Sequence, residues 1–104
     1  MSGRYDVRYL PAAEQDLVDI LDYIARDNPD AARAFVDRVE QAIGRLANFP
    51  RSGPQPRDPR LRRLGYRILV VDEYLVFYVL IRHTVQIRRV VHGARRYDFL
   101  LPDC

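Results

Sequence analysis

The chain has 104 residues, 48% of them hydrophobic and 30% charged, with a formal net charge of +3. That size allows one core in one domain, residues 1–104, and the composition excludes a disordered chain. No apolar run reaches membrane-spanning length, and a lone cysteine, Cys104, excludes an internal disulfide.

The opening MSGRYDVRYL lacks the apolar stretch of a secretory signal, so a reducing cytoplasm is the expected compartment. Every basic residue is arginine, which base composition explains as readily as function. The sorting of charge along the chain is more informative. Residues 1–50 hold 6 Arg against 9 Asp/Glu, whereas residues 51–104 hold 11 Arg against 5. The second half is therefore the expected anion-binding half.

In chain order, RYDVRY (4–9) alternates Tyr5, Val7 and Tyr9 with Arg4, Asp6 and Arg8, the period of a strand with one buried face. PAAEQDLVDILDYIARD then places Ala13, Leu17, Ile20, Leu21 and Ile24 at helical spacing, with Asp16, Asp19 and Asp22 on an expected solvated face. Asn28-Pro29-Asp30 is a helix start: a capping side chain, a proline for the first turn, and an acid for the positive end of the dipole. Ala32, Phe35, Val39, Ile43 and Leu46 form the second stripe. So short a joint implies an antiparallel helical hairpin, and its stripes need a sheet to cover.

RSGPQPRDPR (51–60) reads as a proline-stiffened loop, either a recognition element or a plain connection. LRRLGYRILVV, YLVFYVLI and TVQIRRVV then read as three strands. Their separators, Asp72-Glu73 and Arg82-His83, lack the glycine or asparagine of a tight primed turn, so loops longer than two residues are expected. The order is β-α-α-β-β-β: an α+β fold with a two-helix hairpin on a small, mostly antiparallel four-stranded sheet.

The sequence holds no glycine-rich nucleotide loop and no nucleophile-elbow serine, and its two histidines and terminal cysteine make no metal site; no cofactor is expected. The basic residues are the feature to explain. Arg62, Arg63 and Arg67 surround the start of the second strand, Arg88 and Arg89 lie on the fourth, and Arg95 and Arg96 follow it. Reversal of direction at each hairpin is read as bringing both groups to one end of the sheet, with Tyr66, His92 and Tyr97 among them. Such a ledge suits nucleic acid, guanidinium to phosphate and ring to base, or an acidic protein segment. Strict alternation puts Arg89 with Val85, Ile87 and Val91, either snorkelling to the sheet edge or held to orient an anion. His92 and Tyr97 are the only acid–base groups in the cluster, because arginine stays protonated and can only stabilise charge.

AAEQDLVDILDYIARDNPDAARAF, IGRLANFPRSG, GYRILVVDEYLVFY and IRRVVHGARRYDFLL, in this order, resemble the RelE/ParE superfamily of bacterial type II toxins over nearly the whole chain. The resemblance implies a cytoplasmic toxin with a helical hairpin on a small sheet, neutralised by a cognate antitoxin that wraps it, in some cases as a hetero-oligomer. It is nearer to the ParE branch, which poisons DNA gyrase, than to the RelE branch, which cleaves mRNA on the ribosome without metal. Gyrase is thus the expected target and the ribosome with its mRNA the alternative; a non-toxic module regulating its own operon is a third reading. The implied target and antitoxin contacts are Arg62, Arg63, Tyr66, Arg67, Arg89, His92, Arg95, Arg96 and Tyr97. A nuclease would draw its catalytic set from His92, Arg96, Tyr97 and Arg67. The nuclease pattern is incomplete: Leu75 stands after Tyr74 where those enzymes carry arginine, and Leu100 or Leu101 where they carry a late tyrosine. Their basic loop is represented only by Arg51, Arg57 and Arg60.

Overall fold

A computed structural model describes residues 4–93. The elements run β1 (Asp6–Tyr9), α1 (Pro11–Asp27), α2 (Pro29–Arg45), α3 (Pro59–Arg63), β2 (Tyr66–Val71), β3 (Tyr74–Ile81) and β4 (Thr84–His92). The sheet order is β1-β4-β3-β2, antiparallel except for a parallel β1–β4 pair, so the expected α+β class and mostly antiparallel sheet are observed. No helix among the described residues is long and apolar enough to cross a membrane.

The helical hairpin forms where its boundary residues dictate. Asn28 caps α2, its side chain accepting from the backbone N–H of Asp30 and Ala31 at 3.1 Å each. The stripes of both helices and one sheet face make a core of Ala13, Phe35, Val39, Ile43, Leu46, Val76, Tyr78, Val85, Ile87 and Val90. The other face carries a smaller cluster of Leu61, Tyr66, Phe77, Val79 and Val91. We call these the helix-side and outer faces.

Two expectations are corrected. Residues 61–65 are not strand: Asp58 caps a short helix by accepting from the N–H of Arg60 at 2.8 Å, Pro59 takes its first turn, and Gly65, at φ +86°, ends it. Leu61 thereby becomes an apolar plug on the outer face, 1% exposed. The hairpin turns are also tighter than expected. Val71 pairs with Tyr74 and Ile81 with Thr84, leaving two residues in each turn. Asp72 and Arg82 accept positive φ, 55° and 57°, to close them. Packing on both faces fixes the register, and register overrides the turn preference of the sequence.

Loop 50–54 is strapped down rather than free. Tyr78 donates its hydroxyl to the Pro50 carbonyl at 2.8 Å and accepts from the Gly53 N–H at 3.1 Å. Arg67 donates to the carbonyls of Arg51 and Gly53 at 3.1 and 2.8 Å, and the Ile68 N–H donates to Pro54 at 3.0 Å. A Cβ on Gly53 would sit 2.6 Å from the Tyr78 hydroxyl and 2.8 Å from the Ile68 carbonyl, so only glycine fits. Among the described residues this loop is an anchored connection.

Candidate target-contact surface

Strand direction decides which arginines meet. Because β3 lies between β2 and β4 and is antiparallel to both, β2 and β4 run the same way. The start of β2 is therefore level with the start of β4: Tyr66 pairs with Val79, and Val79 with Gln86. His92 lies at the other end, level with Tyr74 and Val71. The expected single ledge is corrected accordingly. Five residue steps along β3, from Val79 to Tyr74, separate the two rows, roughly 17 Å at the usual strand rise.

The expected site residues then fall into distinct roles. Arg62 and Arg63 are exposed on α3 beside Tyr66. Tyr66 is only 4% exposed, edge-on to Phe77 at 6.2 Å, so its ring is core and offers no face to a base. Arg67 spends its guanidinium on loop 50–54. His92 is exposed and edge-on to Tyr74 at 5.4 Å. Arg95, Arg96 and Tyr97 lie outside the described residues.

Arg89 is held by its own chain. Its Nε and Nη2 donate to the two carboxylate oxygens of Asp16 at 2.7 and 2.9 Å, and the Val90 N–H donates to Asp16 Oδ2 at 2.9 Å. The hydrogen bonds it donates to Asp16 raise the Arg89 pKa above its ordinary value, opposed by desolvation. The Asp16 side chain is 13% exposed, so it leaves the solvated face assigned to it by α1 periodicity. The cause is a length mismatch. β1 ends at Tyr9, where the Leu10 N–H closes the pairing on the Ile87 carbonyl, while β4 runs on to His92. Asp16 satisfies the strand edge that β1 leaves uncovered.

A bulge explains why alternation along β4 misleads. Phe77 pairs with Arg89 and Tyr78 with Ile87, leaving Arg88 as an extra residue. Val85 and Ile87 face the helices, but Val91 joins the outer cluster, so the shared face expected for these residues is broken at Arg88. Arg88 extends over the outer face: its guanidinium carbon lies 5.8 Å from the Tyr66 ring centroid, and its Nε donates to Gln86 Oε1 at 2.8 Å. Across the parallel pair, Gln86 is in register with Arg8. Val7 and Tyr9 pack toward the helices, so alternation along β1 puts exposed Arg8 on the outer face too.

One transverse row of the outer face thus reads Arg8, Gln86, Val79 and Tyr66, with Arg88 above it and the α3 arginines at its far side. The side chains of Arg8 and Arg62 form no hydrogen bond or ion pair among the described residues. Sequence reasoning missed Arg8, Gln86 and Arg88 as a group because only the parallel β1–β4 register assembles them.

A separate apolar groove of about 320 Å³ lies along the hairpin, lined by Leu17, Leu21, Phe35, Val36 and Val39, with Tyr9, Glu14 and Glu40 at its margin. Burial, reinforced by Glu40, raises the Tyr9 pKa.

The family model described as "ParE toxin of type II toxin-antitoxin system, parDE" matches residues 7–97. A relative from Sinorhizobium fredii (strain NBRC 101917 / NGR234), named "Putative toxin Y4kP", is 33% identical over 99 residues, 95% of this chain and 99% of its own. Among solved structures, the chromosomal ParDE toxin–antitoxin system from P. aeruginosa is similar in fold, with TM-score 0.71 at 20% identity over 88% of this chain and 98% of that one. The RelBE2 toxin–antitoxin complex from Mycobacterium tuberculosis is similar with TM-score 0.60 at 29% identity, over 86% and 98% of the two chains.

Proposed function

The chain belongs to the ParE toxin family of type II toxin–antitoxin systems, and from that premise we propose that it arrests growth in the cytoplasm by binding and poisoning DNA gyrase. The observation that supports this reading is the separation, among the described residues, of His92 from the unpaired guanidiniums of Arg8 and Arg62. Cleaving RNA needs a proton acceptor and a proton donor within hydrogen-bond reach of the reacting phosphate. His92 stands roughly 17 Å along the sheet from the Arg8–Gln86 row, and Arg67 is occupied by loop carbonyls. The row supports docking by charge and shape.

A cognate antitoxin neutralises the toxin in this reading. Its apolar helix face has an anchor in the hairpin groove, a form of recognition that needs only a stripe of side chains at helical spacing. Both similar solved structures are of toxin–antitoxin systems, which supports such a partner.

The test is a pair of reactions run side by side with purified toxin: gyrase supercoiling with detection of trapped cleavage complexes, and coupled translation with mapping of mRNA ends. Trapped complexes with intact mRNA are expected. Codon-positioned mRNA cuts with untouched gyrase would replace this reading by the ribonuclease one.

A further inference from the structure

Resting on the reading that this toxin works on a DNA-bound enzyme, we propose that the outer-face row of Arg8, Gln86 and Arg88, continued by Arg62 on α3, grips a nucleic-acid phosphodiester backbone without reading bases. Three observations carry it. The row crosses all four strands in register, so it is about 14 Å long at the usual strand spacing, the length over which one strand of a duplex carries roughly four phosphates. The guanidiniums are available: Arg8 and Arg62 pair with no carboxylate among the described residues, and Arg88 is fixed by neutral groups, an amide and a ring. Finally, the strand part of the row has no apolar anchor, since Tyr66 and Val79 beneath it are 4% and 3% exposed, and Leu64 at the end of α3 is the one large exposed apolar side chain beside it among the described residues.

That last point separates the possible occupants. Protein interfaces draw most of their affinity from desolvated aromatic and aliphatic anchors. Phosphate binding draws it from displaced counterions and needs guanidiniums alone. With no ring of the row free to stack and no groove-reading element among the described residues, the grip is indifferent to sequence. Asp6, two residues before Arg8 on the same face, bounds the row at the β3–β4 turn and confines the phosphate track to the Arg8–Arg62 direction.

The experiment is fluorescence anisotropy of the full-length protein with a short labelled DNA duplex across a salt series. Three guanidiniums on phosphates predict a slope of log K against log salt of about −3, and Arg8→Gln and Arg88→Gln each reduce its magnitude by about 1. Arg33→Gln, an equal charge change on the exposed side of α2, leaves the slope unchanged, as does shuffling the duplex sequence. Thermal melts accompany each variant. If Arg88→Gln does not fold, Arg8→Gln, altering an exposed and unpaired side chain, decides alone. A wild-type slope near zero, or one that ignores these substitutions, overturns the proposal. Gyrase trapping measured in parallel separates the two readings. Variants that lose trapping while the DNA slope stays put mean that the row grips protein; the expected slopes with no trapping by wild type leave the row standing and remove gyrase.

Discussion

Asp16 shows how much one carboxylate can hold together. It accepts from a strand-edge N–H and from two N–H groups of one guanidinium. Asp16→Asn keeps the shape but removes the charge, and we expect a loss of about 2 kcal/mol, read as a lower urea midpoint with an unchanged slope. Tyr78 makes a comparable claim on loop 50–54. Tyr78→Phe leaves the Gly53 N–H without its acceptor and is expected to cost about 1–3 kcal/mol in the same measurement. Burial raises the Tyr78 phenol above its ordinary 10.0, opposed by the Gly53 N–H and by Arg67. A folded pKa above the unfolded one means that the contribution is whole below pH 10 and declines as pH rises through the folded value. The alkaline decline in stability should therefore be shallower in Tyr78→Phe than in wild type. Neither role was legible in the sequence. Asp16 sits in a run with Asp19 and Asp22 that reads as solvent face, and Tyr78 is one aromatic in a strand of apolar neighbours.

At the scale of elements, the two hairpin turns carry the same backbone cost with different compensation. Asp72, at φ 55°, is clamped by Arg38 through hydrogen bonds of 3.1, 3.0 and 2.7 Å. Arg82, at φ 57°, has no hydrogen bond or ion pair among the described residues. Left-handed backbone costs a non-glycine residue roughly 1–2 kcal/mol. Arg82→Gly should thus stabilise the fold by about 1 kcal/mol, whereas Asp72→Gly should gain less because it also releases Arg38. Paired thermal melts check the difference in sign or size. The strands flanking these turns were legible from β-branched and aromatic runs, and the helices from capping residues and stripes. The turn lengths were not, because local preference argues for longer loops while two-faced packing sets the register. The short helix α3 was readable in principle from Asp58-Pro59 and Gly65, yet its four arginine and leucine residues look equally like the start of a strand.

For the whole molecule, the charge split along the sequence survives folding only in part. The class, the helical hairpin and a mostly antiparallel sheet are those the sequence implies; the place of β1 beside β4 is not. The gathering of arginines is not, since it depends on whether strands two and four run alike, and periodicity is silent on direction. Folding assigns Arg67 and Arg89 to internal tasks and recruits Arg8 and Arg88 to the outer face, through a parallel pairing and a bulge that no local pattern announces. The central claim is that this face, and not His92, carries the toxic contact. The decisive measurement is gyrase cleavage-complex trapping by wild type, by Arg8→Gln with Arg88→Gln, and by His92→Gln, each confirmed folded by its melt. The account predicts equal trapping by wild type and His92→Gln, and at least roughly tenfold weaker trapping, about 1.4 kcal/mol, by the arginine pair. Full activity in the arginine pair, or a loss on the order of 100-fold in His92→Gln as general acid–base catalysis requires, would contradict it.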